Sequence, residues 1–252
     1  MTENPYIRNP HLEGDTFFFK GGKTGVLLFH GFTATTAEVR LLANCLHKAK
    51  FTISVPLLPG HGTYPAELND RSWQDWYTAA EKAYLDLADK CQHVFVSGES
   101  MGALLALLLA SRHPEISGLI VFSPAIKIKG LWQSRLLAPF KPWLVKTGAD
   151  DGLPWKGYNV YPLKAAVQML KLQKVVRKEL SKIAQPTIIF TGAYDHTIDP
   201  DSGNIISEGI SSQIKHVHLM PESPHCIILD KEVDKACQIT KEFIGKTLAD
   251  LV

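Results

Sequence analysis

The chain has 252 residues, of which 45% are hydrophobic and 21% are charged, a composition typical of one globular domain with a large core. Its formal net charge is only +2, which argues against a nucleic-acid partner, and no run of basic residues marks a polybasic membrane anchor. The longest apolar run, residues 103–110, is too short to span a bilayer, and the amino terminus lacks the apolar region of a secretory signal, so we expect a cytoplasmic protein without a stable membrane anchor.

Short apolar runs alternate with amphipathic stretches, a pattern that predicts βα units and a mostly parallel sheet flanked by helices. In the amino-terminal half we predict strands at residues 15–20, 25–30, 52–56 and 93–97. Helices are predicted from Thr35, over residues 73–89 and over residues 103–112. Thr35 with Glu38 and Ser72 with Asp75 have the spacing of capping boxes at the starts of the first two helices.

After a strand at residues 118–122, the regular alternation stops between residues 125 and 161. An irregular segment of this length inside a regular fold is more often functional than a plain connection, so we predict an inserted cap in an otherwise single domain of residues 1–252. Three tryptophans lie in the segment, and they either line a substrate pocket or pack the insertion onto the sheet: Trp132, Trp143 and Trp155. The remaining predicted elements are helix 163–183, strand 186–191, helix 201–209, strand 214–219 and helix 231–251.

The residues from Gly98 to Gly102 form a GxSxG sequence between a predicted strand and an apolar helix. This setting is typical of a nucleophile elbow, in which a strained turn exposes a serine and the flanking residues must be small. The bare pentapeptide also occurs by chance, and the strand–turn–helix context favours the catalytic interpretation. Ser100 is therefore the predicted nucleophile.

A serine hydroxyl needs an adjacent base, and enzymes with this elbow place the acid and then the histidine after the serine in the chain. His225 follows a strand in a loop, which favours it as the general base over His216 and His218 within the strand. Asp195 is the first acid after strand 186–191 and is favoured as the residue that orients the imidazole. Its rivals, Asp199 and Asp201, flank Pro200.

A tetrahedral intermediate requires preorganised N–H donors. The backbone amide of Met101, at the start of the helix, is one expected donor. The other is the amide of Phe32, in the loop that follows strand 25–30. The sequence contains no P-loop, dinucleotide fingerprint or zinc signature, so we expect no cofactor and no metal. The four cysteines lack CxxC spacing and are expected to be reduced thiols.

With these residues in place, the chain resembles the small bacterial carboxylesterases and monoacylglycerol lipases of the α/β-hydrolase superfamily. The resemblance spans nearly the whole chain and is carried by five motifs: His30-Gly31-Phe32-Thr33 with Glu38-Val39-Arg40; Pro59-Gly60-His61-Gly62-Thr63 with Pro65-Ala66-Glu67; Gly98–Gly102; Tyr194-Asp195-His196 with Asp199-Pro200; and Ser223-Pro224-His225 with Leu229-Asp230. It implies an α/β-hydrolase fold with a small cap, a triad of Ser100, Asp195 and His225, oxyanion donors at Phe32 and Met101, and no cofactor.

The function expected from the residues and the resemblance is hydrolysis of short- to medium-chain acyl esters, a class that includes monoacylglycerols, through an acyl-enzyme on Ser100. A thioesterase or a carbon–carbon bond hydrolase would use the same triad, because a fold does not fix the substrate. A non-catalytic protein that binds small molecules on a hydrolase scaffold is the alternative from another class. The expected partner is a small ester substrate.

Overall fold

The computed structural model describes residues 4–147 and 152–250. The strands in these ranges are β1 (Ile7–Arg8), β2 (Phe17–Phe19), β3 (Thr24–Phe29), β4 (Thr52–Val55), β5 (His93–Glu99), β6 (Gly118–Phe122), β7 (Trp143–Val145), β8 (Gly157–Tyr158), β9 (Val160–Pro162), β10 (Thr187–Gly192) and β11 (Lys215–Met220). The α-helices are α1 (Arg40–Lys48), α2 (Pro65–Asn69), α3 (Trp73–Ala88), α4 (Met101–Arg112), α5 (Ser134–Leu137), α6 (Leu163–Glu179), α7 (Ser202–Gly209) and α8 (Val233–Ala249).

Seven of these strands form a central sheet in the order β11–β10–β6–β5–β3–β4–β2. Every neighbouring pair is parallel except β2 and β4, which run antiparallel. The predicted mostly parallel sheet is therefore confirmed. All six parallel strands end at the same edge of the sheet, where loops from different strands meet, and this edge is the usual location of a site in such a fold.

Two hydrophobic clusters cover the two faces of the sheet. One contains Leu27 and Phe29 of β3 together with the apolar residues of α3, α4 and α6. The other contains Val26 and Leu28 of the same strand together with those of α1 and α8. Because alternate side chains enter opposite cores, β3 is apolar at every core-facing position and shows no polar alternation. The sequence-based prediction of a strand covered on both faces is confirmed.

Two predictions about local chemistry were wrong. Ser72 and Asp75 form the predicted capping box, but Thr35 and Glu38 do not, because the Thr35 hydroxyl donates to the carbonyl of Lys156 and no side-chain cap closes that helix. The expectation that all cysteines are reduced is also wrong, since Cys45 on α1 and Cys237 on α8 form a disulfide across 192 residues of sequence. Residues so distant in the chain give no spacing signal from which a bridge could be predicted.

Between β6 and α6, the segment at residues 125–161 (hereafter the insertion) contains α5 and three short strands, although residues 148–151 lie outside the described ranges. β7 pairs with β9, which begins at Val160 and continues past the end of the insertion to Pro162, while β8 pairs with the amino-terminal strand β1. The amide of Tyr158 donates to the carbonyl of Thr33 at 2.8 Å, which ties the insertion to the loop after β3. Within the described residues, no helix is both long enough and apolar enough to cross a membrane.

Candidate active site

Ser100 lies at a sharp bend between the end of β5 and the start of α4. Its backbone has φ 56° and ψ −112°, in the left-handed half of conformational space that residues with a side chain rarely occupy. Such strain persists only where the surrounding structure holds it, and it is concentrated at functional sites. The bend has the conformation that the GxSxG sequence predicts.

The two glycines of the motif are required by close approach of backbone atoms. A Cβ on Gly98 would lie 2.3 Å from the carbonyl carbon of Gly102. A Cβ on Gly102 would lie 2.3 Å from the carbonyl oxygen of Phe29, on the neighbouring strand β3. No side chain fits at either position without moving a backbone segment, so the glycines allow α4 to pack directly against the sheet below Ser100.

The loop after β10 brings Asp195 into contact with His225. The Asp195 Oδ2 atom lies 2.8 Å from Nδ1 of His225, while Oδ1 accepts the amides of Thr197 and Ile198 at 2.8 and 2.9 Å. Burial disfavours the ionised carboxyl, but the hydrogen bond and charge of His225 and the two amides outweigh it and lower the pKa of Asp195 below its ordinary value. The carboxylate is thus held ionised and oriented toward the imidazole.

The rival residues have other partners or positions. The Lys127 ammonium lies 3.1 Å from the Asp199 carboxylate and 3.6 Å from that of Asp201. His216 and His218 lie on the edge strand β11, where the ring of His218 stacks on Phe190. Of the acids and histidines considered from the sequence, the structure pairs only Asp195 with His225.

Backbone contacts place the His225 loop beside the bend at Ser100. The carbonyl of Pro224 lies so close to Gly192 that a Cβ there would come within 2.3 Å of it, which fixes the histidine loop on the end of β10. The Ser123 hydroxyl donates to the carbonyl of His225 at 2.7 Å. Ser123 directly follows β6, whose last residue, Phe122, accepts the amide of Ser100 at 3.0 Å. The three predicted residues therefore lie on adjoining loops at one edge of the sheet.

The loop after β3 approaches Ser100 from the other side. A Cβ on Gly31 would lie 3.3 Å from Cβ of Ser100, so this backbone passes directly over the serine. In the part of the chain that the structure describes, the amides of Phe32 and Met101 have no hydrogen-bond acceptor. Both amides are thus available as donors on the two segments that flank Ser100, and their role as oxyanion donors stays a prediction.

Glu38 holds this loop, a contact that the sequence did not indicate. Its buried carboxylate accepts the amide of Gly31, the residue before Phe32. The sequence suggested that Glu38 caps a helix, because its spacing from Thr35 fits a capping box. In the structure, its carboxylate instead accepts the amide of Gly31, seven residues earlier in the chain. Glu38 is thus a structural support of the candidate oxyanion loop.

A second buried acid, Glu99, lies next to Glu38 below the bend. The carboxylates of these residues and the thiol of Cys226 place their candidate metal-binding atoms within 4.8 Å of one another, in the one such group found among the described residues. Burial, followed by the charges of Glu38 and Asp195, raises the pKa of Glu99 well above its ordinary value. Burial also raises the pKa of Glu38, against the opposing hydrogen bond from Gly31. Burial of the two carboxyl groups thus favours their protonated, uncharged forms.

Two buried histidines form the floor of the loop after β3. Burial lowers the pKa of His30 to about 4, and its Nε2 accepts the amide of Leu58 at 3.1 Å, so the ring is neutral. Burial and the neighbouring His30 likewise lower the pKa of His61 well below its ordinary value. The His61 ring packs edge-on against those of His30 and Phe32. These buried rings support the loop, whereas the His225 imidazole is partly exposed.

The three tryptophans of the insertion have different surroundings. Trp143 packs edge-on against Tyr6, with ring centroids 5.1 Å apart, and adjoins the larger hydrophobic core. Trp155 lies under the cationic groups of Arg8 and Lys146. Trp132 is 58% exposed on the outer surface. Their predicted contact with substrate stays a prediction.

Comparison with known proteins places the chain among lipolytic hydrolases. A family model described as "Serine aminopeptidase, S33" matches residues 22–153. A thermostable monoacylglycerol lipase of Bacillus sp. (strain H-257) is 33% identical, with 94% of this chain and 97% of that protein aligned. A carboxylesterase of Bacillus subtilis (strain 168) is 31% identical, with 91% and 96% aligned. A solved structure of the metagenome-derived lipolytic enzymes LipS and LipT has a TM-score of 0.88 and 28% identity and covers 92% of this chain and 98% of its own.

Proposed function

The chain belongs to the α/β-hydrolase family that includes the monoacylglycerol lipase and the carboxylesterase compared above. On that premise we propose that it is a serine carboxylester hydrolase that forms an acyl-enzyme on Ser100. The observation that carries the proposal is the hydrogen bond of 2.8 Å between Asp195 and His225, formed by loops that adjoin a strained serine. The relatives described as a monoacylglycerol lipase and a carboxylesterase support an ester as the substrate.

In the proposed mechanism, the Asp195 carboxylate accepts a hydrogen bond from the protonated Nδ1 of His225. This bond fixes the imidazole tautomer in which Nε2 carries a lone pair and can act as the base. Nε2 takes the proton of Ser100 as its oxygen attacks the ester carbonyl. The amides of Phe32 and Met101 stabilise the oxyanion, and collapse of the intermediate transfers the proton from His225 to the leaving alcohol. A water molecule then repeats the sequence against the acyl-enzyme and releases the carboxylic acid.

The charge of the insertion favours an uncharged ester over a peptide with a free amino terminus. An aminopeptidase needs a negative group for the substrate ammonium, but Asp150 and Asp151 are the only acids between Glu115 and Glu179. Both lie outside the described residues. The family description nevertheless names an aminopeptidase, so peptide hydrolysis is the alternative that an assay must include.

A substrate panel tests the proposal. p-Nitrophenyl esters from acetate to laurate, monoacylglycerols, an acyl-CoA and aminoacyl p-nitroanilides are compared at matched concentration. We expect turnover of the esters, with a medium-chain optimum if Trp132, Trp143 and Trp155 contact the acyl chain and a flat profile if they only pack the insertion. Faster hydrolysis of an anilide or an acyl-CoA than of any ester would contradict the proposal.

A matched pair of serine variants separates chemistry from folding. Ser100→Ala should abolish ester turnover without lowering the melting temperature. Ser97→Ala is the control, since Ser97 lies on the same strand and its buried hydroxyl has no hydrogen-bond partner among the described residues. That variant should retain activity. Equal activity in both variants would remove Ser100 from the mechanism.

A cytoplasmic location is also part of the proposal. The Cys45–Cys237 disulfide stands against it, because disulfides persist mainly in oxidising compartments and are rare in the cytoplasm. Fractionation of producing cells should recover the protein together with a cytoplasmic marker enzyme. Recovery of the protein from the medium or the cell envelope would indicate export instead.

A further inference from the structure

The candidate oxyanion loop, residues 31–34, is a tight turn in a strained conformation. The amide of Ala34 donates to the carbonyl of Gly31 at 3.3 Å and closes the turn. Thr33, the third residue of the turn, has φ 67°, in the region where glycine or asparagine is usual. A residue with a side chain stays in this region only where surrounding contacts hold it there. The contacts of Thr33 therefore help to determine where the preceding residue, Phe32, presents its amide.

The insertion contacts this loop through its backbone. The carbonyl of Thr33 accepts the amide of Tyr158 at 2.8 Å. The next residue, Ala34, forms an antiparallel bridge with Gly157. A Cβ on Gly157 would lie 2.2 Å from the Thr33 carbonyl oxygen, so the two backbones are in direct contact. The insertion thus covers the loop, and Thr33 is fully buried.

Lys146 adds a charged side chain to these contacts. It directly follows β7, and its Nζ atom donates to the Thr33 hydroxyl at 2.6 Å. The ammonium lies 4.8 Å from the ring centroid of Trp155 and 5.0 Å from that of Tyr161, and such contacts with aromatic faces attract a cation. The backbone amide of Lys146 donates to the carbonyl of Asn159 at 2.9 Å. Both ends of the lysine are therefore fixed, and its ammonium is held at Thr33.

The charge of Lys146 also acts on the support at the other end of the turn. Glu38 accepts the amide of Gly31, and an ionised carboxylate is the stronger acceptor. Burial raises the pKa of Glu38, while the hydrogen bond from Gly31 and the charges of His225 and Lys146 oppose that rise. Glu38 and Lys146 thus hold the first and the third residue of one turn. The backbone of this turn passes directly over Ser100, since a Cβ on Gly31 would lie 3.3 Å from the serine Cβ.

We propose that Lys146 is a positioning residue, which holds the Phe32 amide at the oxyanion through its hydrogen bond to the Thr33 hydroxyl. This role rests on the proposed function and gives the insertion a part in catalysis besides any contact with substrate. Donors stabilise an oxyanion only when they lie about 2.7–3.1 Å from it, so a small shift of the loop weakens them. Without Lys146, Thr33 can relax from its strained backbone conformation, and the neighbouring amide moves with it.

Steady-state kinetics on a p-nitrophenyl ester separates turnover from substrate affinity. Lys146→Met removes the charge and the donor but keeps an unbranched side chain that packs well on aromatic rings. We expect kcat to fall about ten- to a hundredfold with KM unchanged, the size expected for loss of a hydrogen bond from a charged group. Thr33→Val removes only the acceptor and should give the same result. The double variant should lose no more than either single variant, because both changes remove one bond.

Hydrogen exchange followed by mass spectrometry measures the loop without any substrate. The amides of residues 31–34 should exchange at least about tenfold faster in Lys146→Met and Thr33→Val than in the wild type. The matched control is Lys141→Met, the same change at an exposed lysine of the insertion, which should leave the exchange rates, kcat and KM at wild-type values. All proteins are compared well below their melting temperatures, so that global unfolding does not contribute.

Three results would contradict the proposal. Unchanged exchange in Lys146→Met would show that this side chain does not hold the loop. Faster exchange with unchanged kcat would remove its effect on the reaction, and a higher KM at constant kcat would make Lys146 a substrate-binding residue instead. A wild-type protein that hydrolyses no ester would refute the proposed function and with it the catalytic role of Lys146, while the exchange rates would still show whether the lysine holds the loop.

Discussion

Replacing Gly102 with alanine tests whether close packing below Ser100 holds the bend. In an ordinary helix this change stabilises by about 0.5–1 kcal/mol, because alanine restricts the unfolded chain. Here the new Cβ would lie 2.3 Å from the carbonyl oxygen of Phe29, about 1 Å inside a normal contact. The three nearest atoms all belong to the backbone of Phe29 and His30, so no side chain can turn away. Forcing extra atoms into a packed site costs about 1–3 kcal/mol, so the net effect should be destabilising.

The matched control is the same substitution at Gly245 in α8, where a Cβ would meet no atom of the described residues within 4 Å. Urea denaturation should show Gly102→Ala destabilised by about 1–3 kcal/mol and Gly245→Ala stabilised by about 0.5–1 kcal/mol. Ester turnover should fall about a hundredfold in the first variant, since α4 must move by about 1 Å and Ser100 moves with it. A Gly102→Ala protein as stable and active as the Gly245→Ala protein would refute the packing argument.

Three further outcomes are expected. Asp195→Asn should lower ester turnover about 10⁴-fold, because the amide favours the wrong imidazole tautomer, whereas Asp199→Asn should have a small effect; steady-state kinetics compares the two. Reduction of the Cys45–Cys237 bridge should lower the free energy of unfolding by about 2–4 kcal/mol in urea titrations with and without reductant. Glu99→Gln should flatten the pH dependence of stability. Folding raises the pKa of Glu99, so above the ordinary pKa of a glutamic acid the folded protein holds a proton that the unfolded chain has lost. The free energy of unfolding of the wild type should therefore fall as the pH rises above that pKa.

Each of these outcomes has a contrary result. Greater loss in Asp199→Asn than in Asp195→Asn would move the acid to the other residue. Unchanged stability on reduction would mean that α1 and α8 are held by packing alone. A Glu99→Gln protein that loses stability with pH as steeply as the wild type would show that another group carries the extra proton.

The sequence predicted the sheet and the candidate triad because each depended on local signals. Apolar runs located every central strand, and GxSxG between a strand and a helix located the bend at Ser100. Chain order and loop position then favoured Asp195 and His225, which the structure places in contact. Their catalytic roles stay predictions until the variants are measured.

The features that the sequence did not reveal depend on contacts between distant segments. The Glu38 carboxylate has the spacing of a helix cap from Thr35, and only the folded chain brings the amide of Gly31 to it. Cys45 and Cys237 meet because α1 and α8 share one face of the sheet. The strands of the insertion are two or three residues long and pair with each other or with the amino terminus, so they produce no periodicity to detect.

Covalent labelling by a fluorophosphonate measures the central claim, activation of the Ser100 hydroxyl by His225. The wild-type protein and the His225→Ala variant are incubated with the probe, and the adduct is mapped by peptide mass spectrometry over time. A single adduct on Ser100 in the wild type, formed at least about 10³-fold more slowly in the variant, is the expected result. Absence of an adduct on Ser100, or equal labelling rates in both proteins, would contradict the proposed chemistry and favour a scaffold that only binds small molecules.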